Sequence, residues 1–290
     1  MVNLFLVGAV LASAAGLESG ASHDGHRLPI ERSAGVAKVE PFSSRQALAS
    51  SSQSEASGKF ILHKFAQPIG TESYTITRQG DTLSLNSEFA FNDRGTNVPL
   101  KTSLRAALDY SPETFTINGK TCRACLIDSS VEISDGRAQV RQEKETRSLV
   151  PPGTFFSVAG YAPVAMQMAM IRYWRAHGSP PVLSVLPSGE VRIQERGSET
   201  LDVNGHKVAL RRFGVRGLIW GLETLWMDGE NNLVALVSTD AEFDHFEALR
   251  QGYEAQLSGF IAGAARDEMA ALTELSTIVA PPRAGLLAVV

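Results

Sequence analysis

The sequence predicts a mainly β protein of the α+β class. Its large curved antiparallel sheet, or half-barrel, wraps around a central apolar helix and is followed by a C-terminal helix. Three observations carry this prediction: long stretches alternate apolar and polar residues, turn dipeptides recur between them, and a single mostly apolar segment interrupts the pattern at 160–178. Such alternation is typical of strands with one buried and one solvated face, as in antiparallel sheets. We therefore expect the apolar segment to fill the concave side of the sheet.

The central helix is predicted from GYAPVAMQMAMIRYWRAHG at 160–178. Pro163 suits a first helical turn, and the glycine and prolines that follow the segment end the helix. Met166, Met170 and Trp174 share one face at i, i+4 spacing. A helix that is apolar over most of its circumference is expected to be buried.

The strand pattern begins at Lys59 and is strictest over 98–110. Hairpin turn dipeptides punctuate it at Asn118-Gly119, Asp135-Gly136, Ser188-Gly189, Asn204-Gly205 and Asp228-Gly229. The predicted order is a meander of about five or six strands, the central helix, and a second meander of about five strands.

A second helix is predicted after the last strand pair. The residues at 239–242, TDAE, form a capping box, and an apolar stripe follows at helical spacing. The stripe consists of Phe243, Phe246, Leu249 and Tyr253. A weaker helical pattern continues to Thr277, and Leu286 to Val290 read as the start of another strand.

The N-terminus resembles a secretory signal peptide over residues 1–15. Its apolar run at 2–11 precedes Ala12-Ser13-Ala14, which is typical of a signal peptidase site. The protein is therefore expected to be periplasmic or secreted. The predicted organisation is a signal peptide at 1–15, a flexible lead-in at 16–58, a β-rich half-barrel at 59–255, and a helical linker with the start of a strand at 256–290.

Composition excludes some partners. The chain has 290 residues, 43% of them hydrophobic and 20% charged, with a net charge of −4. No run of Lys or Arg occurs, so nucleic acid is not an expected partner. After the N-terminus no segment approaches the roughly 18 apolar residues that a membrane span requires, so none is expected. In the lead-in, His23 and His26 offer at most a loose metal site, and a surface segment is the better interpretation.

The two cysteines form the motif Cys122-Arg123-Ala124-Cys125. In an extended strand their Cα atoms would be about 10 Å apart, too far for a disulfide, so they can pair only if the chain turns there. Three interpretations stay open: packed or free thiols, a local disulfide in an exported protein, and metal or redox chemistry. The second ligand pair that structural zinc needs does not follow.

Candidate ligand-binding residues are methionines and tryptophans. Met166, Met170 and Trp174 would give the helix an adaptable apolar lining. Trp220 and Trp226 lie on one face of the strand predicted in GLIWGLETLWMD, which starts at residue 217. Packing in the core is the competing interpretation for all five, because such spacings are common in cores.

An enzyme is the second hypothesis, namely a hydrolase acting on C–N bonds with His177, Glu223 or His245 in its site. Glu223 lies among apolar residues in the sequence. Its carboxylate could have a raised pKa, but an exposed position on the outer face of the sheet explains the pattern as well. The sequence lacks the G-x-S-x-G, H-E-x-x-H, P-loop and dinucleotide-binding motifs. No catalytic residue, metal ligand or cofactor is therefore predicted, and the question of an activity stays open.

Two family resemblances refine the first hypothesis. QPIGTESY at 67–74 is similar to the first hairpin of the periplasmic lipoprotein-carrier half-barrels, which implies an acyl-chain ligand in the concave face. DRGTNVPL from Asp93, GYAPVAMQMAMIRYW from Gly160, LPSGEVRI from Leu186 and DAEFDHFEALR from Asp240 resemble the uncharacterised region that precedes the catalytic domain of some exported bacterial metal-dependent amidohydrolases. This second resemblance covers roughly residues 59–290 and includes none of that family's metal ligands. It implies an accessory role beside an associated or covalently linked hydrolase domain.

The first hypothesis is therefore an exported, noncatalytic β-rich domain. It binds an apolar, lipid-like small molecule, serves as an accessory to an amidohydrolase-type hydrolase, or does both.

Overall fold

The computed structural model describes residues 53–276 of the chain. The predicted signal peptide, most of the predicted lead-in with His23 and His26, and the predicted strand at 286–290 lie outside the described residues. All statements below concern residues 53–276.

Strands make up most of the described chain. Before the central helix lie β1 (Gln53–Lys64), β2 (Gln67–Gln79), β3 (Thr82–Asp93), β4 (Thr96–Ala107), β5 (Pro112–Lys120), β6 (Leu126–Ser134), β7 (Arg137–Gln142), β8 (Glu145–Leu149) and the short β9 (Phe155–Ser157). After it lie β10 (Leu183–Leu186), β11 (Glu190–Val203), β12 (His206–Arg216), β13 (Glu223–Met227), β14 (Leu233–Thr239) and β15 (His245–Arg250). The helices are α1 (Val164–Ala176) and α2 (Leu257–Ser276).

The strands form one 15-stranded sheet in the order β8-β7-β6-β5-β4-β3-β2-β1-β15-β14-β13-β12-β11-β10-β9. Neighbours are antiparallel except β9 and β10, which are parallel. The two meanders meet where β1 pairs with β15, with Leu62 opposite Ala248. The sheet does not close on itself, because β8 and β9 are its two edges. The predicted large, mainly antiparallel sheet is confirmed.

The sheet curves around α1, as the packing of its inner-face side chains against the helix shows. The inner faces of both meanders contribute to one continuous core together with nine buried residues of α1. Along β3 the residues from Leu83 to Asp93 alternate strictly between buried and solvated positions. The prediction of a central, buried apolar helix is confirmed.

The buried start of α1 is satisfied by a side chain from the sheet. Glu72 of β2 accepts hydrogen bonds from the backbone N–H groups of Val164 (2.7 Å) and Ala165 (2.9 Å). The same carboxyl accepts a third bond from the Ser87 hydroxyl on β3 at 2.8 Å. The first N–H groups of a helix have no partner within the helix, so Glu72 supplies what this buried end lacks.

A second, smaller core lies between the outer face of the sheet and α2. Trp226 of β13 is fully buried there against Phe260 of α2, with ring centroids 4.9 Å apart. Arg212 of β12 pairs with Asp267 of α2 at 2.6 Å. The predicted C-terminal helix is therefore confirmed as α2, which packs on the convex side of the sheet.

In the described part of the chain, nine strands precede the central helix, where about five or six were predicted. Three further local predictions differ from the structure. The first strand begins at Gln53, six residues before the predicted Lys59, and pairs with β2 along that extra length. The helix predicted from the capping box at 239–242 is wrong. Asp240 Oδ1 instead accepts the N–H groups of Glu242 (2.8 Å) and Asp244 (3.0 Å), which closes a tight turn into β15. The α-helix begins only at Leu257, after a 3-10 turn at Glu254–Gln256.

The third difference concerns Trp220, which was predicted to share a strand face with Trp226. Gly217 and Gly221 adopt φ values of 109° and 93°, so residues 217–222 form a loop. Such φ values favour glycine and break an extended run. Strand β13 therefore begins only at Glu223.

Candidate functional site

The helix residues predicted to bind a ligand are core residues. Met166, Met170 and Trp174 are buried in the cluster that joins α1 to the sheet. Trp174 packs edge-on against Phe213 of β12, and its indole N–H donates to the Pro180 carbonyl at 2.8 Å. Protein side chains surround all three, so the concave face is occupied by the chain itself.

The two other candidates, Trp220 and Trp226, lie in different environments. Trp226 is buried under α2, where its indole N–H donates to Glu199. Trp220 is 73% exposed and packs edge-to-face against Phe243, itself 65% exposed, with ring centroids 6.2 Å apart. Of the five predicted ligand residues, only Trp220 presents its ring to solvent.

Trp220 borders a cleft on the convex side, which we call the outer cleft. It has a volume of about 550 Å3 and lies between the 217–222 loop, the outer face of β14 and β15, and one side of α2. Its apolar lining includes Trp220, Leu222, Val237, Ala264, Ala265 and Leu272. Its polar lining includes Arg216 and Glu268, which are 3.8 Å apart, as well as His245, Ser238 and Thr239.

His245 is held by a buried carboxylate. Its Nδ1 contacts Oε1 of Glu247, whose Oε2 accepts the Ala66 backbone N–H at 3.1 Å. The hydrogen bond that His245 donates to Glu247 raises the pKa of His245, against the opposing effect of burial. On the neighbouring strand β1, burial lowers the pKa of His63. The outer cleft therefore contains an imidazole with a raised pKa, and Glu247 fixes the orientation of its ring.

Glu223 lies on the opposite, inner face of the sheet, where it is buried. Its Oε1 accepts hydrogen bonds from Gln167 Nε2 of α1 (2.6 Å) and from the Ser238 hydroxyl (3.2 Å). Burial raises the pKa of Glu223 to about 7, against these two bonds. Of the two interpretations left open for Glu223, the exposed position on the outer face is wrong, because the carboxyl is buried on the inner face. Its Oε2 and the Gln167 Oε1 have no hydrogen-bond partner among the described residues.

His177 does not belong to a catalytic triad. Its Nδ1 lies 2.9 Å from the Tyr173 carbonyl, so that nitrogen carries the proton. Ser111 Oγ and Asp109 Oδ2 both lie 3.2 Å from the other nitrogen, Nε2. A triad places the carboxylate and the nucleophile on opposite ring nitrogens. The structure therefore brings His177, Glu223 and His245 to three separate places.

A buried lysine that the sequence did not single out joins several turns at one end of the half-barrel. Lys64 Nζ lies 2.6 Å from Asp240 Oδ2, 3.0 Å from Asp244 Oδ2 and 3.4 Å from Asp93 Oδ2. Asp240, Glu242 and Asp244 lie close enough to share one metal ion. The Lys64 ammonium already supplies the cation at that place, and we call this group the Lys64 cluster.

The cysteine motif forms a local disulfide beside the Lys64 cluster. Cys122 and Cys125 are bonded across a turn, with Cα atoms 4.8 Å apart. Of the three open interpretations, the local disulfide is the one observed, because the chain turns between the two residues. The turn carries Arg123 to within 3.4 Å of both Asp93 and Glu242.

Sequence reasoning missed Glu72, Gln167 and Lys64. Each is a polar residue that the fold buries. Their partners are distant in sequence, as with Glu72 and Ala165, which lie 93 residues apart. Gln167 within an otherwise apolar helix face was the one visible signal.

Comparisons with known proteins add a likeness of fold. No protein-family model and no curated protein matches this chain. It is similar to a crystal structure of a β-barrel-like protein of the domain of unknown function DUF1849 from Brucella abortus, with a TM-score of 0.44 and 10% identity. The similarity covers 67% of this chain and 94% of that chain. At this identity the likeness says nothing about function. No helix among residues 53–276 is long and apolar enough to cross a membrane.

Replacing Lys64 by methionine tests the Lys64 cluster. The change leaves the buried Asp240 carboxylate and its neighbours without their central cation, so we expect unfolding to require about 3 kcal/mol less. The control is Lys101→Met, which breaks the exposed pair with Glu88 and should cost much less than Lys64→Met does. Urea unfolding at pH 7 measures both, and equal losses would contradict this role for Lys64.

Replacing Glu223 by glutamine tests the buried carboxyl. Its folded pKa of about 7 exceeds the ordinary value for a glutamate, so the stability that the protonated carboxyl contributes at acid pH is lost as the pH rises through 7. Glutamine stays neutral, so Glu223→Gln should be more stable than the wild type at pH 8, by up to about 3 kcal/mol. Urea unfolding at pH 4.5 and pH 8 measures this difference.

The exposed Glu88 serves as the matched control for that experiment, because Glu88→Gln should leave the wild-type decline with pH in place. A decline in Glu223→Gln as large as in the wild type would show that Glu223 is not the titrating group.

Proposed function

We propose that this protein is an exported, noncatalytic binding domain that holds an apolar small molecule in the outer cleft. The observation that carries the proposal is the exposed Trp220 ring beside an open, mostly apolar cleft of about 550 Å3. Ligand sites in proteins are typically concave and apolar, and span about 300–1,000 Å3. The proposal keeps the predicted ligand class but moves it from the concave face to the convex one.

Solvent exposure of Trp220 and Phe243 supports a binding role. Their rings contact each other at the rim and leave most of their apolar surface in water. Covering one such side chain fully contributes about 1.5–3 kcal/mol. A ligand in the outer cleft would cover Trp220 together with Leu222 and Leu272, which lies on α2.

The polar groups of the outer cleft favour an amphipathic ligand with a small polar end. His245 of β15 and Arg216 of β12 line the cleft from strands that are three apart in the sheet. At about 4.8 Å per strand, the backbones that carry His245 and Arg216 are about 14 Å apart. The imidazole is oriented by Glu247, so it offers a fixed donor to the polar end of a ligand.

An accessory role beside a hydrolase rests on the sequence resemblance to the region that precedes amidohydrolase catalytic domains. Export rests on the signal-like segment at 1–15. Both are parts of the proposal. A hydrolytic activity of these residues is not favoured, because His177, Glu223 and His245 do not converge on one pocket.

A fluorescent apolar probe such as 1-anilinonaphthalene-8-sulfonate tests the proposed site. We expect saturable binding with quenching of tryptophan fluorescence. Ala265→Trp should weaken binding about tenfold or more, because the new side chain fills the cleft from an exposed position on α2. Trp220→Ala should weaken it less and remove the quenching.

The matched control is Leu126→Ala, which removes an equally exposed apolar side chain from β6. It should bind the probe as the wild type does. Probe binding that is unchanged in Ala265→Trp, or that is lost equally in Leu126→Ala, would contradict the outer cleft as the site.

A further inference from the structure

Three arginines converge on one turn at the end of the half-barrel where α1 terminates. Arg172 Nε donates to the Asn231 carbonyl at 2.9 Å. Arg175 Nη1 and Arg211 Nη2 both donate to the side-chain oxygen of Asn231, the latter at 3.0 Å. Asn231 lies in the turn between β13 and β14, with a φ of 60°. Two helix residues and one strand residue therefore share a single neutral amino acid.

The other hydrogen-bond acceptors of these arginines are also neutral. Arg172 donates to the Tyr110 hydroxyl and to the side-chain oxygen of Asn232, both at 2.6 Å. Within residues 53–274, none of the three guanidinium groups forms an ion pair with a carboxylate. Burial, and next the charge of Arg211, lower the pKa of Arg175. The cluster thus contains more positive charge than its contacts neutralise.

Three carboxylates line the same open cleft as Arg172 and Arg175, and each of them faces another group. Asp109 faces His177, Glu55 faces Arg78 at 3.8 Å, and Glu230 contacts the Asn232 amide at 3.4 Å. Glu195 acts on Arg175 only through space. The dipole of α1 stabilises positive charge at the C-terminal end of this helix, where Arg175 lies. It does not account for the charge of Arg211, which lies on β12.

Two of the three arginines line this open cleft. The cleft has a volume of about 590 Å3, and Tyr110, Arg172, Arg175 and Asn231 are among its lining residues. Arg211 contacts the lining residue Asn231 from β12. A guanidinium group presents its donors in a planar fork that matches two oxygens of a phosphate or carboxylate. A small oxyanion that replaced the shared Asn231 oxygen would give Arg175 and Arg211 a charged acceptor in place of a neutral one.

We propose that Arg172, Arg175 and Arg211 form a binding site for a small oxyanion, a phosphate or a carboxylate group, at this end of the half-barrel. The site is independent of the outer cleft, since it uses different residues and a different face. Either a free anion or the anionic group of a larger molecule fits the cleft, because the cleft is open to solvent.

Asn231→Asp is the sharpest test. It places a carboxylate at the point where the guanidinium groups meet, so it should satisfy the cluster from within and compete with an external anion. Aspartate tolerates the left-handed backbone of this position nearly as well as asparagine does. The variant should therefore fold with a melting temperature at or above that of the wild type.

Isothermal titration of the full chain at constant ionic strength, with inorganic phosphate and separately with acetate, measures the binding. We expect saturable binding of at least one anion, weakened about tenfold or more in Asn231→Asp and in Arg211→Gln. The matched control is Arg137→Gln, since Arg137 also donates to a neutral acceptor, Ser148, but on the exposed face of β7. It should bind as the wild type does, and probe binding in the outer cleft should be unchanged in all variants.

Preference for phosphate or for acetate identifies which oxyanion group the site selects, and either one supports the proposal. Binding that is unchanged in Asn231→Asp, binding that falls equally in Arg137→Gln, or the absence of saturable binding with both anions would overturn it.

Discussion

The fold depends on the contact between Glu72 and the first turn of α1. A sheet that encloses a helix also encloses the N–H groups at the start of that helix, and leaving these without acceptors costs about 1–3 kcal/mol each. Glu72, which lies on β2, accepts hydrogen bonds from two of these N–H groups. The Ser87 hydroxyl on β3 donates a third hydrogen bond to the same carboxyl group. Burial raises the pKa of Glu72 to about 7 even so. One side chain thereby fixes both the position of α1 along the half-barrel and its direction.

Once α1 fills the concave face, the two ends and the convex side are left for function. At one end the Lys64 cluster and the disulfide between Cys122 and Cys125 hold the turns together. At the other end three arginines share Asn231 beside an open cleft that Glu55, Asp109 and Glu230 also line. On the convex side α2 packs against the sheet and borders the outer cleft. The half-barrel is therefore a packed scaffold, and the two sites that we propose lie outside its core.

The sequence predicted those features that follow from periodicity. Alternation gave the strands, and a segment that is apolar on nearly all faces gave the buried helix. Periodicity failed at β15, because Phe246 and Leu249 are buried on opposite faces of one strand and so imitate the spacing of a helix. It also failed at Trp220, where two glycines with positive φ end the extended run. The buried polar contacts could not be predicted, since their partners come together only in the folded chain.

Hydrogen exchange of the α1 backbone tests this account most directly. If Glu72 holds the helix inside the sheet, the amides of Val164, Ala165 and the following turns should open only with the inner strands, at the free energy of global unfolding. Native-state exchange measured across increasing denaturant would show this as one shared unfolding curve. Exchange of the α1 amides at a clearly lower free energy, with the strands still protected, would show that the helix is a separable insert and would contradict the account.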